Sequence, residues 1–304
     1  MPPYVSIIIP TKNAGQKFAL VLKRIRESRV PFDFEIIAVD SGSLDGTRRL
    51  LGNYFVKLIE ISPSSFSHGG ARNIGADNAQ GEILVYLSQD ALPKDECWLA
   101  RLTSGFNDEQ VAGIFGRQIP NEGASPLERF FLQYVYPDYK IVKDSLNPRN
   151  CALQDIFFSD VNSALRRCAW KENRFKEDLI MSEDQAWAKD MLMRNKKIIY
   201  EPAAIVYHSH HYSPGRLIAR NFDSGLSLKD ITNAPFRRNF LYEARYIKSA
   251  LRYFLKNGLY GSLAVCPLYE SFRLLGFLAG RYSQRLPLWL KKALSQNKAY
   301  WQEE

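Results

Sequence analysis

The feature that most constrains this chain is a rhythm near its start. Short apolar runs rich in isoleucine and valine stop abruptly at polar turns, with helically spaced stretches between them. The runs are YVSIIIP at 4–10, FEIIAV at 34–39, residues 56–61 and ILVYL at 83–87. Near-continuous apolar runs of this length predict strands covered on both faces. Between them, 16–28 places Phe18, Val21, Leu22 and Ile25 on one helical face, with Lys and Arg opposite. Residues 45–54 and 70–79 predict two further helices. Strands alternating with helices at this spacing predict an α/β fold, a Rossmann-like, doubly wound and mostly parallel sheet.

The rest of the chain is less regular. Helices are predicted over 96–107 and 183–194, and strands over 111–119, 197–200 and 204–208. Residues 125–142 are aromatic and irregular, with Phe130, Phe131, Tyr134, Tyr136 and Tyr139. From about 214 the pattern becomes helical, basic and aromatic, so a C-terminal helical extension (214–304) is expected after a catalytic unit over 1–213. The net charge of +9 sits entirely there. Residues 1–213 hold 26 Lys+Arg and 26 Asp+Glu, and residues 214–304 hold 15 and 6. That asymmetry points to an anionic partner. Residues 236–255 and 272–290 have the composition of helices lying in a membrane interface; a helical subdomain packed on the core is the alternative. The most apolar stretch, 259–278, contains Pro267, Glu270 and Arg273. It is expected to fall short of the ~20 mostly apolar residues that span a bilayer. The first residues read as a strand, so no secretory signal is expected. Four scattered cysteines without a CxxC pair predict neither a disulfide framework nor a zinc site, which fits a reducing cytoplasm.

In open α/β sheets ligands sit at the carboxyl ends of the strands. The first strand ends in PTKNAG at 10–15, with Pro10, Thr11 and Asn13, and no GxGxxG follows it. The second ends at Asp40, followed by Ser41 and a Gly/Ser turn. Ser43 or Asp45 is the better helix cap, which leaves Asp40 free to accept from a base N–H or a ribose hydroxyl. FSHGGARN at 66–73 places a glycine pair at a helix start, where Gly70 can offer N–H groups to phosphate, with Arg72 and Asn73 beside it. The fourth strand ends in LSQDALP at 87–93, so Gln89 and Asp90 stand at its tip. A carboxylate beside a bound diphosphate suits Mg²⁺ or Mn²⁺. Glu183 and Asp184 open a later helix, as dipole partners or as a general base. YHSHHY at 207–212 puts His208 and His210 on one face of a strand, as a metal pair requires.

In this order the pieces resemble the family-2 inverting glycosyltransferases, which have the GT-A fold. The resemblance covers about residues 4–213 and is closest to the bacterial dTDP-rhamnosyltransferases, whose FNHGGTRN, LTQDALP and YHSHNY are similar to the segments at 66–73, 87–93 and 207–212. Gln89 and Asp90 stand where the wider family carries DxD. The resemblance implies that Pro10, Thr11, Asn13, Asp40, Ser41, Gly70, Arg72, Asn73 and Gln89 bind the nucleotide. It also implies that Asp90 and His208 hold Mg²⁺ or Mn²⁺, with His210 a lesser candidate for metal or phosphate. Asp184 is the implied base, with Glu183 supporting it. The expected donor is dTDP-rhamnose, or else a UDP-sugar. The expected acceptor is a polyprenyl diphosphate-linked oligosaccharide at the inner face of the cell membrane. Two other readings are weaker. A nucleotidyltransferase would need a Gly-rich loop where Thr11, Lys12 and Asn13 stand. A basic membrane- or nucleic-acid-binding module would leave Asp90, Asp184 and the histidines unexplained, so nucleic acid is not an expected partner.

Overall fold

The computed structural model describes residues 2–302. Its first half follows the expected alternation: β1 (Val5–Thr11), α1 (Phe18–Arg26), β2 (Phe34–Asp40), α2 (Thr47–Gly52), β3 (Lys57–Glu60), α3 (His68–Asp77) and β4 (Ile83–Leu87). These strands lie in the order β3-β2-β1-β4, all parallel. The apolar runs are explained by cover on both faces. Ile8, Ile37, Leu84 and Tyr86 belong to one core, while Val5, Ile7, Ile9, Ile36 and Val85 belong to another on the opposite side. Successive side chains of a strand alternate between faces, so a sheet buried twice needs an apolar residue at every position.

Beyond β4 the chain runs β5 (Leu92–Pro93), α4 (Trp98–Thr103), β6 (Val111–Ile119), α5 (Pro126–Val135), β7 (Ile141–Lys143), α6 (Leu153–Ile156), β8 (Asn162–Arg166), α7 (Arg167–Glu172), α8 (Glu183–Met193) and β9 (Lys197–Tyr207). The sheet continues β4-β8-β6-β9-β5, with β7 paired to β9. β8 is antiparallel to both neighbours and was not foreseen, because its NSALR sequence is short and half polar. β9 is one strand rather than two. Gly116 pairs with Glu201 and Arg117 with Ile205, so residues 202–204 bulge at Pro202, which has no N–H for the ladder. The irregular aromatic segment contains α5. Ser125 caps it, Pro126 occupies its first turn, and its Phe130 ring packs on Tyr246 and Phe254.

Four helices follow: α9 (Pro214–Ile231), α10 (Phe236–Lys256), α11 (Tyr260–Arg281) and α12 (Leu288–Leu294). α9 puts Leu228 and Ile231 into the same core as Trp187 and Tyr86. Its backbone touches that of α11. A Cβ on Gly225 would lie 2.0 Å from the Phe277 carbonyl oxygen, and one on Gly280 1.9 Å from that of Phe222. Only glycine permits this approach. α10 and α11 are joined by a buried polar knot. The Tyr246 hydroxyl donates to Glu270 at 3.1 Å, and Arg273 reaches Glu270 at 2.8 Å and Glu243 at 3.1 Å. One expectation is corrected: by length and composition α11 is long and apolar enough to cross a membrane, with 17% of its apolar window buried. Pro267 does not interrupt the helix, and Glu270 and Arg273 neutralise each other across less than one turn.

Candidate functional site

The topology gathers side chains on one edge. β1, β2 and β4 end there, as do the parallel β6 and β9, while the antiparallel β8 begins there. β5 pairs with the end of β9, Leu92 against Tyr207, which brings the loop carrying Asp90 beside His208.

The loops after β1 and β2 are laced together by side-chain bonds. Asn13 N–H donates to Ser43 Oγ at 2.8 Å, Ala14 N–H to Thr47 Oγ1 at 3.0 Å, and Gly15 N–H to Asp45 Oδ2 at 2.9 Å. In return Leu44 N–H donates to Asn13 Oδ1 at 2.8 Å. The expectation that Asp40 is left free is overturned. Its carboxylate is 0% exposed and accepts from Ser43 N–H and Oγ, Gly42 N–H, Thr11 Oγ1 and Arg48 Nε. Burial alone would raise its pKa, but the bonds from Ser43, Arg48 and Thr11 outweigh this and lower it. Ser41 donates from N–H and Oγ to the Thr11 carbonyl, and Pro10 lies half-buried in β1 against Val39. Gln89 bridges to the same frame: its Oε1 accepts Lys12 N–H at 2.9 Å and its Nε2 donates to Lys12 O at 3.2 Å.

The glycine pair is also corrected. Ser67 Oγ, the α3 cap, already accepts Gly70 N–H at 3.0 Å. Gly69 is required for packing, since its Cβ would lie 2.4 Å from the Lys176 carbonyl oxygen. Asn73 does not flank an open nucleotide site. It is buried, donates to Phe175 O and Glu177 Oε1, and accepts from Trp170 Nε1 and Phe175 N–H. Arg72 turns toward acids. Its Nη1 is 2.7 Å from Glu183 Oε1, and its Nε is 3.2 Å from Asp160 Oδ2. Burial would lower its pKa, but Glu183, Asp160 and Asp184 around it keep it raised.

These acids form the first half of the site. Ser182, left-handed at φ 67°, starts α8 so that Glu183 and Asp184 fall in its first turn, where the helix dipole favours carboxylates. Asp184 Oδ2 accepts Asp160 N–H at 3.2 Å. Burial, then the charges of Glu183 and Asp160, push the Asp184 pKa well up. Burial raises Asp160 to about 6 against the attraction of Arg72 and a bond from Ser163, with Glu183 adding to the rise. Asp160 was missed because it lies just before the unforeseen β8 in a stretch without periodicity.

The second half is Asp90, His208 and His210. One ligand atom from each lies within 4.8 Å of the others. His208 Nε2 is 3.5 Å from Asp90 Oδ1, and His210 Nδ1 is 3.9 Å from Asp90 Oδ2. Gln118 Oε1 lies 2.9 Å from His208 Nδ1, which leaves Nε2 facing Asp90. Gln118 is fixed in turn by Tyr136 and Ser159. Burial lowers His208 to about 4, with Asp90 opposing and His210 and Arg220 adding. A neutral imidazole oriented through its other nitrogen, next to a half-exposed carboxylate, suits a divalent cation. Gln118 was also missed, although a lone amide in the apolar run VAGIFGRQI was a legible signal.

Sheet order, strand-edge acids and this triad define an α/β scaffold whose candidate site lies at the carboxyl ends of its parallel strands. Comparison with known proteins names the family. The glycosyl transferase family 2 model matches residues 6–173. The chain is 32% identical over 306 residues to the O-antigen chain rhamnosyltransferase WbaN of Salmonella anatum, covering 98% of this chain and 96% of the relative. RfbN of Salmonella typhimurium, of the same description, is 31% identical over 305 residues, covering 98% and 96%. The mannosyltransferase PcManGT from Pyrobaculum calidifontis, solved with GDP-Man and Mn²⁺, superposes with a TM-score of 0.62 at 19% identity, covering 94% of this chain and 88% of that one. The chain belongs to glycosyl transferase family 2. It is a glycosyltransferase of the GT-A fold, as the motifs implied.

Proposed function

We propose that this glycosyltransferase moves rhamnose from dTDP-rhamnose to a hydroxyl of a polyprenyl diphosphate-linked surface polysaccharide, with inversion, at the inner face of the cell membrane. The observation that carries the reading is Asp184. It is a carboxylate of raised basicity, held between Glu183, Asp160 and Arg72 on the sheet edge that also presents Asp90, His208 and His210. Asp184 takes the proton from the acceptor hydroxyl. The freed oxygen pair attacks the anomeric carbon from the face opposite the nucleotide. The C1–O bond breaks, and its electrons leave with the nucleoside diphosphate. Arg72 and Glu183 hold the base in place without entering the reaction. Mg²⁺ or Mn²⁺ on Asp90, His208 and His210 would supply positive charge against the departing diphosphate. In this reading Asp40, Ser43 and Gln89 set the shape of the nucleotide pocket through the loops they tie, Thr11 and Ser41 are buried in the same frame, and the more exposed Pro10 and Asn13 are left to meet the nucleotide.

The donor assignment is supported by the segments at 66–73, 87–93 and 207–212 and by relatives named as rhamnosyltransferases. The membrane assignment is supported by exposed apolar residues, Leu268, Leu274 and Leu275 on α11 with Phe236 and Phe240 on α10, in a region holding 15 Lys+Arg against 6 Asp+Glu. Each Lys or Arg near an anionic surface contributes about 1 kcal/mol.

The test is release of nucleoside diphosphate from a donor panel with Mg²⁺, Mn²⁺ or EDTA. Turnover of dTDP-rhamnose that EDTA suppresses is expected. Turnover of a UDP-hexose with none of dTDP-rhamnose would overturn the donor. For the membrane, Leu274→Ser with Leu275→Ser should weaken binding to anionic vesicles, and unchanged binding would overturn that assignment.

A further inference from the structure

Beside the triad, and sharing His210 with it, lies a cleft whose other lining residues the proposed chemistry does not use. Its volume is about 530 Å³, and His210, His211, Tyr212, Arg216, Arg220 and Gln296 line it. Two segments far apart in sequence build it: the run from the end of β9 into the first two turns of α9, and the tail after α12. The tail is fixed from beneath. Buried Asp223 on α9 accepts the N–H groups of Gln296 at 3.0 Å and Asn297 at 3.2 Å through Oδ2. The tail is therefore fastened to α9 next to the cleft it helps to line.

The charge of the lining is one-sided. It contains two guanidinium groups and no carboxylate. Among the described residues neither Arg216 nor Arg220 forms an ion pair. Arg220 donates to the Tyr212 hydroxyl and lies 5.2 Å from the centre of that ring, which holds its planar fork in place. The carboxylate that feels Arg220 nearby is Glu128. Glu128 Oε1 faces the His210 N–H at 3.4 Å and is not paired with the arginine. No side chain caps the start of α9, whose first turn carries Arg216. The first two turns of α9 thus present two arginines without an ion-pair partner to one open space, which the Tyr212 hydroxyl and the Gln296 side chain also line. Two forks about one turn apart suit a ligand with two linked tetrahedral anions, because each guanidinium can hold a pair of phosphate oxygens.

We propose that this cleft is a diphosphate-binding site that acts through Arg216 and Arg220 and does not depend on a metal ion. Its position rests on the glycosyltransferase reading only for the source of the ligand. Two sources share the chemistry: the nucleoside diphosphate of the donor, extending past Asp90, and the diphosphate that links the acceptor to its prenyl carrier. The cleft sits at the start of α9, and α9 packs backbone to backbone on α11, whose outer face carries the exposed leucines.

The test uses the full-length protein in EDTA, titrated calorimetrically with inorganic pyrophosphate. Wild type should bind. Arg216→Gln with Arg220→Gln should weaken binding at least tenfold, and Arg216→Lys with Arg220→Lys should recover part of it. Arg237→Gln with Arg252→Gln, two exposed arginines of α10, should leave affinity unchanged. No binding by wild type, or equal loss in the α10 variant, overturns the proposal. Thermal melts of the Gln variant should match wild type, since both arginines are exposed. Steady-state kinetics then separates the sources. A raised KM for nucleotide-sugar alone assigns the donor, a raised KM for the prenyl-linked acceptor alone assigns the carrier, and no change in either overturns a role in transfer. Pyrophosphate binding that survives while no nucleotide-sugar is turned over would sink the glycosyl-transfer reading and leave the cleft standing.

Discussion

Two carboxylates at the carboxyl ends of β2 and β4, the parallel strands on either side of β1, behave in opposite ways. Asp40, the last residue of β2, is wholly buried and accepts five hydrogen bonds, from Thr11 on β1, from Gly42 and Ser43 in its own loop and from Arg48. Asp90, beyond β4, is 52% exposed and faces two imidazoles with no hydrogen bond of its own. Each is an Asp following an apolar strand, and the sequence motif treats them alike. The lesson is that the conspicuous residues divide into a frame and a working set. Asp40, Ser43, Asn73, Gly70 and Gln89 are occupied in holding loops. Asp90, His208, His210 and Asp184 keep capacity that the fold does not consume.

The sharpest way to break that division is at Asp184. Asp184→Asn should lower transfer by about 10³-fold, in the range for loss of a general base. Nucleotide affinity should persist, and thermal stability should rise, because a buried acid of raised pKa is removed. Near-normal turnover would move Asp184 into the frame. Next is Gln118→Leu, which should cost about 10- to 100-fold in metal affinity by freeing the His208 ring, with a smaller change in stability. An unchanged metal titration would mean that the ring is held by packing alone.

The two kinds of carboxylate also predict opposite pH effects. Asp160 at about 6 and Asp184, raised well above its ordinary value, bind protons more tightly in the folded chain than in the unfolded one. Ionising them weakens the fold, and acidification through about pH 6 relieves that strain at Asp160. Asp40 is lowered, so the stability it lends is complete above the unfolded carboxylate value of about 4 and is lost as pH falls through its folded value. The melting temperature should therefore peak on the mildly acidic side, and Asp184→Asn should flatten the alkaline decline. Activity should move the other way, falling as the base takes up its proton. A melting profile that is flat from pH 5 to pH 8 would count against the buried acid cluster.

The smallest expected effects compare the strand-tip acids directly. Asp40→Ala leaves several donors without a partner and should cost about 1–3 kcal/mol of stability. Asp90→Asn should stay within about 0.5 kcal/mol in denaturant unfolding while lowering metal affinity. Equal stability losses would erase the distinction between frame and working set.

Legibility followed the same division. β1, β2 and β4 were readable because strands covered on both faces are apolar at nearly every position, whereas β3 is an exposed edge strand carrying Lys57 and Glu60. α8 was readable from its acidic first turn; the histidine pair was expected on one face of a strand, but His208 and His210 lie beyond the end of β9 and their rings meet at 4.4 Å in the loop that follows. β8 and Asp160 were not readable, since a five-residue strand with three polar positions carries no period. The glycine pair was assigned to phosphate because sequence shows a helix start but not the Lys176 carbonyl that presses against it.

By itself the sequence determined the α/β alternation, the edge of the sheet where the site must lie, and the residues able to act there as acid, base or ligand. These depend on local period and side-chain chemistry, which a chain carries before it folds. Tertiary structure decided which of those residues are free. Whether a carboxylate such as Asp40 or Asp90 is saturated depends on donors brought from other loops, and no local pattern records them. The same holds for the Arg216–Arg220 cleft, which exists only where the end of β9, the start of α9 and the tail converge.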